Sequence, residues 1–541
     1  MREWWRDAII YQIYPRSFQD TSGNGMGDLA GITKRLDHVA SVGADAIWLS
    51  PFFTSPDEDM GYDVSDYTNI SDIYGDMADF DALMARAKEL GLKVIIDQVI
   101  SHSSDQHPWF VESRKDRTNP KADWYVWADP NPDGTPPNNW VSVFGGSAWR
   151  FDAVRRQYYL HNFLTAQPDL NFHNPDVVEA HLDAMRFWLD KGVDGFRLDT
   201  VNFYVHDDQL RSNPPADWDE FPGNPYEAQE HVYSKNRPEN LNVLRRIRAL
   251  VDSYDDKMLI GEVGELGQRQ IEIMGEYTSG TDKLHMAYTF AMLSHDRSAA
   301  HFRRCIEGFE AAAPDGWPSW SFSNHDVPRH VTRWTEDGSD PDAVAKQSIA
   351  MLISFPGTIG IYQGEELGQT DTDILFHELR DKGYIDFWPD NKGRDGCRSP
   401  MVWDASQPNA GFSDAEPWLP VKDPQRARAV SEQQGKNDSV LAAYRAALAF
   451  RKSRVELKEG STSFHDLPEP LLGLTRTAGG IRLTGVFNLS NAARTVKVKG
   501  LATLDGPSEA TLVGTTLNLP ANGYAFLAST EALTLIADAN D

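Results

Sequence analysis

Eight short runs rich in aliphatic and aromatic residues alternate with amphipathic stretches through the first four hundred residues, and this predicts an α/β fold built as a (β/α)8 TIM barrel. Three observations carry the prediction. The runs fall at 9–14, 44–49, 93–99, 195–198, 258–262, 284–290, 319–322 and 358–362. Helix-period stretches at 77–90, 175–191, 241–253 and 342–353 lie between them. After Glu459 the rhythm changes to short alternating runs with glycine turns, at 472–476, 481–488, 495–498 and 524–528, which reads as a small C-terminal all-β domain.

In a parallel barrel the polar residues just after each strand form one rim. The first strand leads to a loop in which Asp20, Ser22, Asn24 and Asp28 alternate with glycines. The spacing resembles the first part of a calcium loop, with the Met26 carbonyl as a further oxygen. Only two of these groups carry full charge, so a structural Ca2+ or Mg2+ of modest affinity is expected there, and no cofactor for catalysis. The second strand is followed by Gly61-Tyr62-Asp63, and the third runs through Asp97 to Ser101-His102.

From His102 to Phe172 the alternation breaks into a Trp-, Asn-, Pro- and Gly-rich segment. A structureless loop of that length is improbable inside a barrel, so it is read as a small inserted domain overhanging the rim. The expected domains are therefore 1–101, barrel, first part; 102–172, inserted domain; 173–458, barrel, second part; and 459–541, β-sandwich. A polar, Pro-rich excursion at 202–240 is read as part of a pocket wall, and the end at 537–541 as frayed.

The fourth strand is the run Asp194-Gly-Phe-Arg-Leu-Asp-Thr200. Strand alternation places Arg197 and Asp199 on the same face, opposite Phe196 and Leu198. Read by itself, the pair is equally a structural ion pair or a carboxylate kept ionised by a guanidinium. Glu262 ends the fifth strand and Asp326 follows the seventh. Three carboxylates brought to one rim repel, so their proton affinities must separate. One ionised and one protonated carboxyl are the requirement for glycoside hydrolysis through a covalent intermediate, with the two about 5–5.5 Å apart.

Composition narrows the alternatives. A net charge of −28 argues against nucleic acid and anionic membranes as partners. Two cysteines, Cys305 and Cys397, are no disulfide framework. No signal-peptide pattern and no long apolar run is present, so a soluble cytoplasmic protein, monomeric or homodimeric, is expected. Sixteen Trp and 18 Tyr offer flat rings that suit sugar faces as well as cores.

The ordered motifs Gln12-Ile-Tyr-Pro-Arg-Ser-Phe18, Asp97-Gln-Val-Ile-Ser-His102, Gly195-Phe-Arg-Leu-Asp199, Gly261-Glu-Val263 and Asn324-His-Asp326 resemble those of glycoside hydrolase family 13, the α-amylase family. Each motif alone is weak; five in order are specific, and the likeness spans essentially the whole chain. The first strand, the Gly61-Tyr-Asp63 loop and Arg398-Ser-Pro-Met401 are most similar to the branch of α-glucosidases and oligo-1,6-glucosidases.

The resemblance implies roles. Asp199 is the nucleophile with Arg197 beside it, Glu262 the acid and then the base, and Asp326 the stabiliser of the distorted ring. His102 and His325 donate to sugar hydroxyls. Asp63 and Arg398 clamp the non-reducing end, giving exo action. Tyr62, Phe144 and Phe163 pack against the ring. For Asp63 and Arg398 the plain alternative is a salt bridge across loops; for the aromatic residues it is loop packing. In this branch the residue after the nucleophile tracks linkage, and Thr200 goes with α-1,4 bonds. Two departures stand out: Ser101 replaces the asparagine common before the histidine, and the ion loop lacks a third carboxylate.

The expected function is a retaining α-glucosidase acting on small sugars such as maltose, and sucrose as a second candidate, with glucosyl transfer as a side activity. The alternatives are a sucrose isomerase, a trehalose synthase or an oligo-1,6-glucosidase. A non-catalytic sugar-binding or transporter-associated homologue is disfavoured, because all three carboxylates are in place.

Overall fold

The computed structural model describes residues 3–218, 221, 223–265, 267 and 269–537. The expected frayed end, beyond Ala537, lies outside them. Eight parallel strands run in sequence order around one sheet: β1 Ile9–Ile13, β2 Ala46–Leu49, β3 Lys93–Gln98, β4 Gly195–Leu198, β5 Met258–Val263, β6 Met286–Thr289, β7 Ser319–Trp320 and β8 Thr358–Tyr362. β1 pairs with β8, and a parallel bridge between Ala287 and Pro318 joins β6 to the start of β7, closing the barrel. The strands are almost wholly buried, as parallel strands covered by helices must be.

Each strand is followed by a helix: α1 Leu29–Val42, α2 Met77–Glu89, α3 Pro175–Asp190, α4 Asn240–Val251, α5 Arg269–Thr278, α6 Ala299–Ala312, α7 Pro341–Ser354 and α8 Val440–Ser453. Local chemistry sets their ends. Asp28 caps α1 by accepting the Gly31 N–H at 2.6 Å, and Gly43 at φ 113° stops it in the left-handed conformation that glycine adopts without strain. Asp76 and Asp79 form a reciprocal capping box at the start of α2. Asn174 followed by Pro175, and Asp340 followed by Pro341, start α3 and α7 in the same way.

The segment 102–172 carries a three-stranded antiparallel sheet, with Gln157–Leu160 between Trp127–Ala128 and Trp149–Asp152. Val126, Trp140, Trp149 and Leu160 form its own small core. An antiparallel bridge between His102 and Asp169 ties this unit to the rim directly after β3. The 202–240 excursion holds one short 3-10 turn, Pro225–Ala228, among its described residues.

Past α8, two antiparallel sheets pack face to face. One holds Leu471–Ala478, Ile481–Asn488 and Tyr524–Ser529; the other holds Arg494–Lys499, Thr516–Leu519 and Thr534–Ala537. Apolar residues such as Leu471, Val486, Val496, Leu517 and Leu535 fill the space between them. Glu469 accepts from the first free amides of α6, Ala299 N at 3.2 Å and Ala300 N at 2.8 Å, a carboxylate at the positive end of a helix. Gln347 of α7 donates to Asn488 O at 2.7 Å. This domain therefore braces the helix layer and stands apart from the rim that carries the acidic cluster.

Candidate active site

Asp97, Arg197, Glu262 and Tyr288 come from the ends of four consecutive strands, β3 to β6, and meet inside the barrel mouth, with Asp199 one residue past the end of β4. Arg197 is wholly buried and sits at the centre of this group. Its Nη1 donates to Asp97 at 2.8 and 3.0 Å and to Asp199 Oδ1 at 2.7 Å. Its Nη2 stands 2.7 Å from Glu262 Oε1 and donates to the Tyr288 hydroxyl at 2.9 Å. The Tyr288 hydroxyl in turn donates to Glu262 Oε1 at 3.1 Å. One guanidinium thus holds three carboxylates, and Asp199 and Glu262 are spanned by its width.

Burial raises the Asp199 carboxyl to about 7, against the pull of Arg197. Burial likewise raises Glu262 to about 7, again opposed by Arg197. Two interacting carboxyls poised near neutrality share protons as a pair, so one charged and one neutral group coexist over a window around pH 7. Asp326 differs. Burial works against its charge, but the facing His325 N–H and the charges of Arg398 and Arg394 outweigh burial and hold it well below the usual carboxylate range. Arg398 Nη2 lies 2.9 Å and Arg394 Nη1 3.3 Å from Asp326 Oδ1.

Thr200 has φ 37°, a left-handed backbone that a β-branched residue adopts only under strain of about 1–3 kcal/mol. The bend points its amide at Glu262 Oε2, 3.0 Å away, and its hydroxyl at Asp199 Oδ2, 3.2 Å away. Ser101 Oγ bonds both Thr200 Oγ1 at 3.1 Å and His102 Nδ1 at 2.9 Å, so the serine in the asparagine's place still buttresses the histidine ring. His102 Nε2 lies 3.1 Å from both Tyr62 O and Gln167 Nε2. Burial keeps this ring neutral, its pKa lowered to about 4. His325 is neutral too, because burial prevails over the nearby Asp326 charge. Gln12 donates to its Nδ1 at 2.8 Å, which leaves the proton on Nε2, facing Asp326 Oδ2 at 3.2 Å and the Tyr62 hydroxyl. Tyr62 stacks on His325 with ring centres 5.4 Å apart.

A cavity of about 310 Å³ opens over this group and is lined by Tyr62, His102, Phe144, Phe163, Asp199, Thr200, Glu262 and Asp326. Phe163 tilts against His102 at 5.1 Å, and Phe144 meets Phe163 edge-on at 6.1 Å.

Four residues expected to meet the sugar are not part of the lining: Arg197 and His325 act through the network above, and Asp63 and Arg398 lie elsewhere. Asp63 and Arg398 make neither a salt bridge with each other nor a part of the pocket lining. Asp63 is fully buried behind the wall, where its carboxylate accepts from Ser55 Oγ and from the Glu58 and Asp59 amides at 2.9–3.0 Å. Arg398 is equally buried and holds His325 O at 2.7 Å as well as Asp326. An ion pair that does line the pocket is Asp59 with Arg394, 2.9 Å apart. Arg394 is held in turn by Asp381, at 2.7 and 2.9 Å. The signal for Asp59 lay four positions upstream of Asp63, in the same loop. Gly61 at φ 103° lets that loop reverse, and a Cβ there would crowd Pro51 O at 3.2 Å. Tyr288 left no signal beyond its place at the end of the sixth strand.

The Asp20–Asp28 loop lies apart from the pocket. Its two carboxylates converge on one amide: Ser22 N is 2.9 Å from Asp20 Oδ1 and 3.1 Å from Asp28 Oδ2. Burial opposes the Asp20 charge, but hydrogen bonds from Ser413, Gly25 and Gly23 keep its carboxyl lowered. Asn24 Oδ1 accepts from Met26 N at 2.8 Å. The donor set is all oxygen and carries two like charges at close quarters, which fits a hard cation such as Ca2+ or Mg2+. Among the described residues no group of three or more His, Cys, Asp or Glu side chains is arranged to hold a metal.

The chain was compared with known proteins. Residues 12–460 match the model of the α-amylase catalytic domain. A probable α-glucosidase of Rhizobium meliloti (strain 1021) is 56% identical over 514 residues, 93% of each chain. An oligo-1,6-glucosidase of Halalkalibacterium halodurans is 36% identical over 518 residues, 90% of each chain. The solved structure of the α-glucosyl transfer enzyme XgtA superimposes with a TM-score of 0.95 at 49% identity, covering 98% of this chain and 100% of that one. With the barrel, the buried acidic cluster and these likenesses together, the chain belongs to the α-amylase family of glycoside hydrolases, family 13, within its α-glucosidase and oligo-1,6-glucosidase branch.

Proposed function

We propose that the protein is a retaining, exo-acting α-glucosidase that releases α-glucose from the non-reducing end of short α-1,4-glucosides such as maltose, and also of sucrose. The observation that carries this reading is the single Arg197 guanidinium holding Asp199 and Glu262 at 2.7 Å each. A shared guanidinium keeps the two carboxyls together on one rim, and direct attack takes such a pair about 5–5.5 Å apart. Asp199, ionised, attacks the anomeric carbon, while Glu262, protonated, gives its proton to the departing oxygen. Glu262 then takes a proton from water, which releases glucose with its configuration retained. Asp326, held as an anion, stabilises the positive ring of both transition states. The His102 ring, which lines the cavity, serves a sugar hydroxyl, and the neutral Nε2–H of His325 holds Asp326 in place. Asp59 and Arg394 close the pocket and grip the terminal glucose, which supports exo action. Thr200 supports the α-1,4 preference.

Proton NMR of maltose turnover tests this directly: α-glucose is the first anomer formed from the non-reducing unit. β-Glucose appearing first, or no turnover of any α-glucoside, overturns the reading. The same covalent intermediate passes glucose to alcohols, which the named activity of XgtA makes a second reading. Isomerisation of sucrose or maltose in place of hydrolysis would appear as new disaccharide in the same spectra.

A cytoplasmic setting is part of this proposal. It is supported by the two cysteines, both free and buried, and no helix among the described residues is long and apolar enough to cross a membrane. A structural cation in the Asp20–Asp28 loop is proposed as well, held by Asp20, Ser22, Asn24, the Met26 carbonyl and Asp28, with no part in the chemistry. Exhaustive chelation is expected to lower the melting temperature by a few degrees, about 2–4 °C for each kcal/mol of ion binding lost in a domain of this size. Added Ca2+ or Mg2+ restores it. An unchanged melting temperature removes the ion.

A further inference from the structure

One part of the cavity wall carries a buried amine. Lys235, in the 202–240 excursion, lines the pocket although the residue is only 1% exposed. Its ammonium donates to Gly264 O at 2.8 Å and stands 3.5 Å from Glu265 Oε1. Two aromatic faces, Phe203 and Tyr226, cover it with ring centres at 5.0 and 5.2 Å, and both line the same cavity. An ammonium has three hydrogens to give, and these contacts account for two. A buried lysine beside a catalytic cleft with a donor to spare is expensive unless something repays its desolvation. Gly264 lies two residues beyond Glu262, the group assigned to protonate the departing oxygen, so this amine is anchored to the strand end that carries the acid.

We propose that Lys235 is a specificity-determining residue of the leaving-group site: its free N–H binds an oxygen of the second sugar, or of an acceptor alcohol, while Phe203 and Tyr226 pack against that group's apolar face. The inference rests on the glucosidase reading. It goes further by naming which chain segment reads the aglycone and with what chemistry, a charged donor flanked by rings. The alternative role for Lys235 is to hold the Gly264–Glu265 turn and thereby to position Glu262.

α-Glucosyl fluoride loads the glucose pocket but offers no second sugar and needs little acid, so the pH limb of Glu262 on maltose is what separates a lost contact from a mispositioned acid. The variants Lys235→Met and Lys235→Arg are compared with the parent on maltose and on α-glucosyl fluoride. Lys235→Met is expected to lower kcat/KM for maltose about 10- to 100-fold, the loss of one charged hydrogen bond, and to leave kcat/KM for the fluoride within about threefold. Lys235→Arg keeps the charge beside Glu265 where the methionine variant loses it. It moves the donor, and the maltose-to-fluoride ratio shifts at least about fivefold. The pH limb assigned to Glu262, measured on maltose, stays in place in the arginine variant. Equal losses on both substrates, an unchanged ratio in both variants, or a displaced limb overturns the proposal and leaves Lys235 a positioning residue. No turnover of the fluoride by the parent defeats the glucosidase reading itself.

Discussion

Asp199→Asn is expected to lower kcat/KM on maltose by ~10⁴-fold or more, with the fold intact. The asparagine matches the carboxylate in size and still presents an oxygen to Arg197, but it does not form the glucosyl ester. Stability is expected to move the other way. The folded carboxyl is raised to about 7, above its ordinary value near 4, because it is buried. Such a group favours the fold fully at pH values below its unfolded value, and the native protein loses that contribution as pH rises through the folded value. An asparagine does not titrate. The variant's melting temperature therefore equals or exceeds the parent's at pH 8, and its advantage shrinks toward pH 4. Kinetics and calorimetry on one preparation check both halves. A variant that keeps more than a hundredth of the activity would remove Asp199 from the role of nucleophile.

Glu262→Gln is expected to act through the leaving group. In the parent, kcat/KM follows a bell around neutrality. As pH falls below the pair's lower apparent value the nucleophile is protonated, and as pH rises above the upper one the acid is lost. The glutamine variant loses the descending limb. Its activity on maltose drops about 10²–10⁴-fold, while formation of the intermediate from α-glucosyl fluoride, whose leaving group needs little acid, falls much less. Release of the intermediate then becomes slow, because water lacks its base, and azide, which needs none, accelerates it and yields α-glucosyl azide. If the descending limb persists, the acid lies elsewhere among the buried groups, with Asp97 the first to examine.

The barrel was legible because its signals are local. Strand runs at 195–198 and 358–362 coincide with β4 and β8, and the helix at 77–90 ends one residue later than α2. Two-residue and near-four-residue periods are written into neighbouring residues, and burial of both strand faces makes the runs continuous. Strand ends also carry the carboxylates. The parallel register aligns Asp97 with Arg197 across β3 and β4, and Arg197 with Ile260, two residues before Glu262, across β4 and β5. Once eight strands are recognised, Asp199, Glu262 and Asp326 are bound to share a rim.

Residues read by motif on the loops fared unevenly. Tyr62, Phe144 and Phe163 line the cavity, whereas Asp63, the residue next to Tyr62, points inward to bind amides of its own loop. A loop carboxylate has no periodicity to set its direction, and both outcomes suit the same local sequence.

What the amino-acid order determined by itself is the barrel, its rim and the identity of the charged groups on it, because strand and helix periods act over a few residues and the register of parallel strands propagates them around the ring. Only the tertiary structure decided which of those groups pair. Asp59 meets Arg394 across 335 positions of chain and Lys235 reaches the turn after Glu262, both through long-range folding of loops, while Tyr288 of β6 reaches Arg197 of β4 across the barrel mouth. Loop contacts of that kind are fixed by the desolvation of whole clusters, in which a buried charge is tolerated only where its partners happen to arrive, and no short stretch of sequence encodes that arrival.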